Sequence, residues 1–347
     1  MRRLTRELIA IDSVTGSEAA VAEYLAGELG RRGWKVRLSE AAPGRPNLLA
    51  VFEEGSPRIL FNTHLDTVPE AYGPEEDEER IYGRGACDTK GILAAMLEAL
   101  EDARQTGAQG LGLLLVAGEE RDHVGALAAG KDPGLDAPEI LVVGEPTRNR
   151  FLTAQKGLLS GRLEARGREG HSGYPEEFDS AVEKLVVALE ALRTAPFLVR
   201  RSEEGTTVNL SLLQGGDAFN KVASSASAMV LFRLAKPAAE LIPKVEALLG
   251  RLSPEVRICW EIAGACDPIP EIDALEGFPT GVAAFGTDLS FFGWNPRRRY
   301  LFGPGSILQA HRDPVPGDPQ AGEWILKREQ EEGARLYREL LRREAEP

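Results

Sequence analysis

A small group of carboxylates and histidines in this chain stands where it could do chemistry. His64 and Asp66 sit two apart in Asn62-Thr63-His64-Leu65-Asp66-Thr67-Val68-Pro69, directly after the apolar run Ile59-Leu60-Phe61. Asp88 lies among glycines in Gly83-Arg84-Gly85-Ala86-Cys87-Asp88-Thr89-Lys90-Gly91. Glu119 and Glu120 follow Gly118, Glu145 follows Gly144, and His311 closes the stretch that begins Gly303-Pro304-Gly305. If His64, Asp88, Glu120, Glu145 and His311 converge, two imidazoles and three carboxylates suit a borderline metal such as Zn²⁺, and would also accept Co²⁺ or Mn²⁺. That is too many ligands for one tetrahedral catalytic zinc with an open position. It suits two ions about 3.5–4 Å apart with one carboxylate bridging. Such a pair lowers the pKa of water and polarises a carbonyl, and a further carboxylate is then needed as general base. The neighbours Glu119 and Glu120 supply one carboxylate for each task.

Each member also has a plainer reading. His-x-Asp after a strand fits a loop pair or a helix cap, and adjacent glutamates after a strand are commonly solvated. Asp88 fits a helix N-cap, Glu145-Pro146 a turn, and His311 beside Arg312 a surface position. The elements that carry these residues favour convergence. Residues 4–10 read as a short helix, and Thr15-Gly16-Ser17-Glu18 as a capping box opening a second. Strands are expected over 34–38, 47–52, 58–62, 111–117 and 139–143, with a helix over 92–105. Buried strands alternating with helices indicate a mainly parallel α/β sheet with helices on both faces. In such sheets ligands bind beyond the carboxyl ends of the strands. His64, Asp66, Glu119, Glu120 and Glu145 each follow a strand's carboxyl end.

The pattern then changes. A strand at 159–165, a helix at 179–193, strands at 206–213 and 226–234, a helix near 237–252 and a strand at 256–262 give the order β-α-β-β-α-β of a ferredoxin-like unit. Residues 156–263 are therefore read as an inserted domain, with 1–155 and 264–347 as the two parts of the domain that holds the candidate site. Asp318 and Pro319 read as the N-cap and first turn of a last helix.

Composition narrows the function classes. With 41 basic against 54 acidic residues the formal charge is −13, which argues against nucleic acid as a partner. Cys87, Cys259 and Cys266 match no disulfide framework or CxxC site, which points to a reducing compartment. No apolar run approaches the roughly 20 residues a membrane span needs, and Met1-Arg2-Arg3-Leu4 does not open a secretory signal, so a cytoplasmic location is expected. Gly83-x-Gly85 hints at a nucleotide site, but no GxGxxG or P-loop follows a strand.

The motifs around His64, Asp88, Glu119-Glu120, Gly144-Glu145-Pro146-Thr147 and Ala310-His311 together, in this order, resemble the dinuclear-zinc amidohydrolases and peptidases of the M20 family. The resemblance implies His64 on one ion, Asp88 bridging, Glu120 and Glu145 divided between the ions, and His311 completing the set. It implies Asp66 as the residue that orients His64 and Glu119 as the base. It further implies that the inserted domain is a lid through which the chain forms a homodimer. Gly170-His171-Ser172 then matches a histidine that stabilises the oxyanion in the partner's site, while Asn220 and Arg233 resemble residues that hold a substrate carboxylate. Gly305 belongs with this substrate-binding group. Cys87-Asp88-Thr89 and the stretch from Gly303 to His311 look most like acetylornithine deacetylase and its acetylcitrulline-cleaving relatives, an activity of arginine biosynthesis. The small-molecule substrate is then an N-acyl amino acid. Other activities of the family stay open: desuccinylation of succinyl-diaminopimelate, dipeptide cleavage, and release of a carrier protein from lysine or ornithine. A non-catalytic metal-containing binding protein is the alternative of another class. His123 matches no ligand position and reads as structural. Two departures border the expected cleft: a short segment between Pro69 and Ile81, and an insertion at 312–320 that would displace an acidic counterpart to Glu323.

Overall fold

The computed structural model describes residues 1–252, 256, 258–316 and 318–344. Its main helices are α1 (Arg2–Ile9), α2 (Ala19–Arg31), α3 (Gly91–Gln105), α4 (Val124–Ala129), α5 (Ala181–Arg193), α6 (Ala238–Gly250) and α7 (Lys327–Glu344). Its main strands are β1 (Lys35–Ala42), β2 (Arg45–Val51), β3 (Ile59–His64), β4 (Leu111–Val116), β5 (Ile140–Val143), β6 (Gly157–Arg166), β7 (Thr207–Gly215), β8 (Ser225–Leu234), β9 (Ile258–Cys266) and β10 (Arg298–Leu301). The chain divides into two compact units. The first holds residues 1–153, 271–281 and 287–347, and the second holds 154–270 and 282–286.

The first unit is built on a mixed sheet in the order β1-β2-β4-β3-β5-β10. The pairings β4–β3, β3–β5 and β5–β10 are parallel, and the β1–β2 hairpin adds an antiparallel edge. Strands β3, β4 and β5 are buried along their whole length, as their unbroken apolar runs require of central parallel strands. Register brings their carboxyl ends level. His64 pairs with Val116 and Asn62 with Val143, so the residues after each strand emerge along one edge of the sheet.

Helices α1, α2, α3 and α7 share one apolar core with alternate residues of the sheet, among them Phe61, Leu113 and Val142. Aromatic rings join α7 to the strands: Tyr337 meets Phe61 edge-on at 5.4 Å and Phe302 at 4.5 Å. The Tyr337 hydroxyl donates to the Phe302 carbonyl at 2.8 Å, so its polar tip is satisfied inside the core. The short helix α4 lies instead against β1 and β2.

Two local expectations give way to tertiary contacts. The capping box at Thr15–Glu18 does not form, because the Glu18 carboxylate is spent on Arg45 at 2.9 and 3.0 Å and on the Gly16 amide. The last helix begins at Lys327 rather than at Asp318. Pro319–Ala321 is a single 3-10 turn, and Trp324–Leu326 is a strand paired with Arg80–Tyr82. The backbone there is committed to a small sheet before helix can start.

The second unit is an antiparallel sheet in the order β7-β8-β6-β9, with α5 following β6 and α6 following β8. The β-α-β-β-α-β succession is that of a ferredoxin-like unit. In β6 and β8 every second residue is buried, and these residues form a core with Leu185 and Leu189 of α5 and Leu241 and Val245 of α6. Among the described residues no helix is long and apolar enough to cross a membrane.

Phe61 is fully buried between sheet and helices. Phe61→Ala is expected to cost about 3–5 kcal/mol through lost transfer energy and a residual cavity. Urea unfolding checks this: the midpoint should fall while the m-value holds.

Candidate metal centre

At the level carboxyl ends of β3, β4 and β5 the sheet delivers His64, the Gly118–Glu120 turn and Glu145, and a loop from the amino end of α3 brings Asp88. The Asp88 carboxylate sits between two imidazoles. His64 Nε2 lies 3.1 Å from its Oδ1, and His311 Nε2 lies 3.4 Å from its Oδ2. His311 Nε2 also meets Glu120 Oε1 at 2.9 Å. One ligand atom each from His64, Asp88 and Glu120 lies within 4.8 Å of the others, a grouping that could hold a metal ion. His64, Asp88 and Glu145 are buried, whereas the His311 side chain is 45% exposed.

Electrostatics show how crowded this negative charge is. Burial, the Glu119 and Asp88 carboxylates and then Asp288 push the Glu145 carboxyl well up, with His64 opposing. Burial likewise raises Glu119, reinforced by Asp288, Glu120 and Asp88 and again opposed by His64. For Asp88, burial pushes upward, but hydrogen bonds from His311 and His64 win and hold it below the usual range. Hydrogen bonds to Asp88 and Glu120 lift His311 to about 10. A buried set of carboxylates with only two imidazoles to balance it is a donor set that divalent cations of the Zn²⁺ class fit, and they would compete with protons for it.

Asp66 is positioned for a broader task than tuning His64. The His64 ring nitrogen Nδ1 meets the Asp66 backbone carbonyl at 2.9 Å, while the Asp66 carboxylate is 3.6 Å away. That carboxylate instead accepts from the amides of Gly118, Glu119 and Glu120 at 2.9, 3.1 and 3.3 Å, and from the Thr15 hydroxyl at 2.8 Å. One residue thus fixes the imidazole through its backbone and the glutamate turn through its side chain. Gly118 needs its identity, since φ is +81° and a Cβ would fall 2.3 Å from Arg45 Nη2. Gly305 is buried with φ +81°, and a Cβ there would meet Cys87 Sγ at 2.5 Å. Close packing beside Asp88 accounts for its being glycine.

His123, read as structural, touches the surroundings of this site. Its Nδ1 lies 3.0 Å from Oδ1 of the buried Asp288, and its ring stacks on Phe291 at 3.8 Å. Asp288 is the carboxylate whose field reaches Glu119 and Glu145. Asp288 follows Phe285-Gly286-Thr287, a stretch whose local sequence carries no ligand spacing, so its role is visible only in the fold. In the second unit His171 is exposed in a short ladder, Gly170–His171 against Lys221–Val222, and Asn220 accepts from the Ser172 amide at 3.2 Å. His171 and Asn220 are therefore neighbours. Arg233 lies on β8, paired with Thr207 and Leu158.

Known proteins resemble this chain along most of its length. Residues 60–342 match the model of peptidase family M20/M25/M40. A probable carboxypeptidase of Aspergillus clavatus is 34% identical over 342 residues, covering 88% of this chain and 76% of its own. Among solved structures, a tripeptidase of Staphylococcus aureus has the same fold, with a TM-score of 0.79 at 20% identity over 99% of this chain and 98% of its own. An M20 family metallo-carboxypeptidase from Sulfolobus solfataricus has a TM-score of 0.72 at 16% identity, with 97% of each chain covered. With its level strand ends, its gathered histidines and carboxylates, and a family match running from β3 into α7, this chain belongs to peptidase family M20/M25/M40.

Proposed function

We propose that this chain hydrolyses an amide whose amine half is an amino acid with a free α-carboxylate. That class joins the removal of an acyl group from N-acetylornithine or N-acetylcitrulline to the carboxypeptidase named for the fungal relative, because both release an amino acid carrying its own carboxylate. The observation that carries the reading is the convergence of His64, Asp88, Glu120 and His311, with Glu119 and Glu145 close enough to feel the charge of His64 and Asp88.

His64, Asp88, Glu120, Glu145 and His311 would hold two divalent cations, Zn²⁺ by preference and Co²⁺ or Mn²⁺ as substitutes. When bound, such cations polarise the amide carbonyl and lower the pKa of water. Glu119, on the turn that Asp66 holds, takes a proton from the attacking water and delivers it to the departing amine nitrogen. His171 is assigned to the oxyanion of the tetrahedral intermediate, contributed from a second copy of the chain. Asn220 and Arg233 are assigned to the substrate carboxylate, which a guanidinium fork suits.

The second copy is argued from the edge of the second unit. Strand β7 ends the sheet, and its Leu212 and Leu213 are 72% and 56% exposed, with Val186 of α5 at 55%. Two such edges related by a two-fold axis would pair and cover one another.

Three outcomes follow. Apo protein given Zn²⁺, Co²⁺ or Mn²⁺ should cleave acetyl, succinyl or peptidyl amino acids with a free carboxylate at least about 100-fold faster than their α-amides. Equal rates, or rates indifferent to metal, would remove the proposal. Glu119→Gln should lower kcat about 10²–10⁴-fold while bound metal, counted by mass spectrometry, is unchanged. Light scattering on a sizing column should give twice the 37.6 kDa chain mass, and Leu213→Asp should give a monomer. A wild-type monomer at assay concentration would refute the dimer.

A further inference from the structure

Glu323 is fully buried, and its place in the first unit is unusual for a glutamate. Its Oε1 accepts from two successive amides, Cys87 and Asp88, both at 3.0 Å. Its Oε2 lies 3.3 Å from Arg84 Nη1, and its carbonyl accepts from the Gly83 amide at 3.0 Å. The Arg84 side chain is only 2% exposed. Its remaining donors go to Glu70 O and Pro69 O, both at 3.1 Å, and to the Asp313 carboxylate. Tyr72 completes the cluster: its hydroxyl donates to Arg312 O at 2.9 Å and accepts from the Glu323 amide, and its ring lies 5.3 Å from the guanidinium.

The three segments that meet at this pair carry three of the proposed metal ligands. Pro69 and Glu70 lie on the loop that follows His64. Cys87 and Asp88 are the backbone of the carboxylate between the two imidazoles. Arg312 and Asp313 directly follow His311. We propose that the buried Arg84–Glu323 pair, with Tyr72, is a positioning device that sets the distance of His311 and His64 from Asp88, and so sets affinity for both cations together. It rests on the two-metal reading above.

The chemistry favours this task over generic core packing. A carboxylate that takes two adjacent amides of one loop fixes that loop's orientation with charge-assisted bonds. The same carboxylate is held by a guanidinium whose other donors reach the Pro69 and Glu70 carbonyls on one neighbouring segment and the Arg312 carbonyl, at 3.5 Å, and Asp313 carboxylate on the other. An apolar residue at either position would leave buried amides or carbonyls without partners. Groups that orient metal ligands from outside the coordination sphere change metal affinity by roughly 10–100-fold when removed.

The test uses the full chain loaded with Co²⁺, whose visible absorption reports ligand geometry. Affinity is read by chelator competition, and the apo melting temperature is measured alongside. Glu323→Ala should bind both Co²⁺ equivalents about 10–100-fold more weakly with an altered spectrum, and Glu323→Gln, which keeps one acceptor oxygen for the amides, should recover part of the affinity. Wild-type Co²⁺ affinity and spectrum in Glu323→Ala would overturn the inference. If Glu323→Ala does not fold, Tyr72→Phe decides: an apo melting temperature near wild type with weakened Co²⁺ binding supports the device, and unchanged binding overturns it. A wild-type chain that binds no Co²⁺ would instead bring down the two-metal reading itself, so the two failures are told apart.

Discussion

Everything about the first unit converges on one carboxylate, that of Asp88, held between His64 at 3.1 Å and His311 at 3.4 Å. A buried carboxylate is costly unless opposite charge or hydrogen bonds compensate it. Two imidazoles do so for Asp88, but Glu119 and Glu145 are left with raised carboxyls. The surrounding architecture reads as the means of holding that unfavourable gathering together. Level strand ends bring three of its contributors to one edge, Asp66 grips the glutamate turn, and Glu323 grips the backbone of Asp88.

The same tension explains why so many buried charges in this unit are paired. Arg45 is bracketed by Glu18 and Asp122, and this bracket passes beside Gly118 at the foot of the glutamate turn. Breaking a buried pair leaves an uncompensated charge, which is far more damaging than never having had the pair. The residues that hold the site are thus also residues the fold cannot lose cheaply, and stability and site geometry are coupled through them.

Much of this was legible in the sequence because it rests on short-range signals. Unbroken apolar runs such as Ile59-Leu60-Phe61 and Leu111–Val116 mark central strands, and the polar residues that come after them, from Asn62 and from Glu119 onward, mark the approach to the strand's carboxyl end. The β-α-β-β-α-β order of the second unit followed from period-two burial alternating with helical spacing. What escaped was long-range. Thr15–Glu18 carries a sound capping signature, but Arg45 takes Glu18 away from it. Asp318-Pro319 is a sound helix start, but pairing of Trp324–Leu326 with Arg80–Tyr82 postpones the helix to Lys327. Arg84 with Glu323 and His123 with Asp288 are contacts between residues far apart in the chain, and nothing in their local sequence announces a partner. The substrate was no more legible, because the side chains that would read it lie on loops whose spacing carries no periodic signal.

The order in which the proposed ligands occur along the chain has a consequence for biosynthesis. His64, Asp88, Glu120 and Glu145 all precede the inserted second unit, whereas His311 and Glu323 follow it. A nascent chain that has just completed the second unit has the carboxylates of the centre, but lacks one imidazole of Asp88, the clamp on its backbone and strand β10. Domains fold as units during synthesis, so the second unit can be finished while the first is still open. The time taken to translate it is therefore an interval in which a half-built, carboxylate-rich cluster is exposed to whatever ions surround the ribosome. On the two-metal proposal, correct loading is then decided by the arrival of the last segment rather than by the first of the proposed ligands to appear.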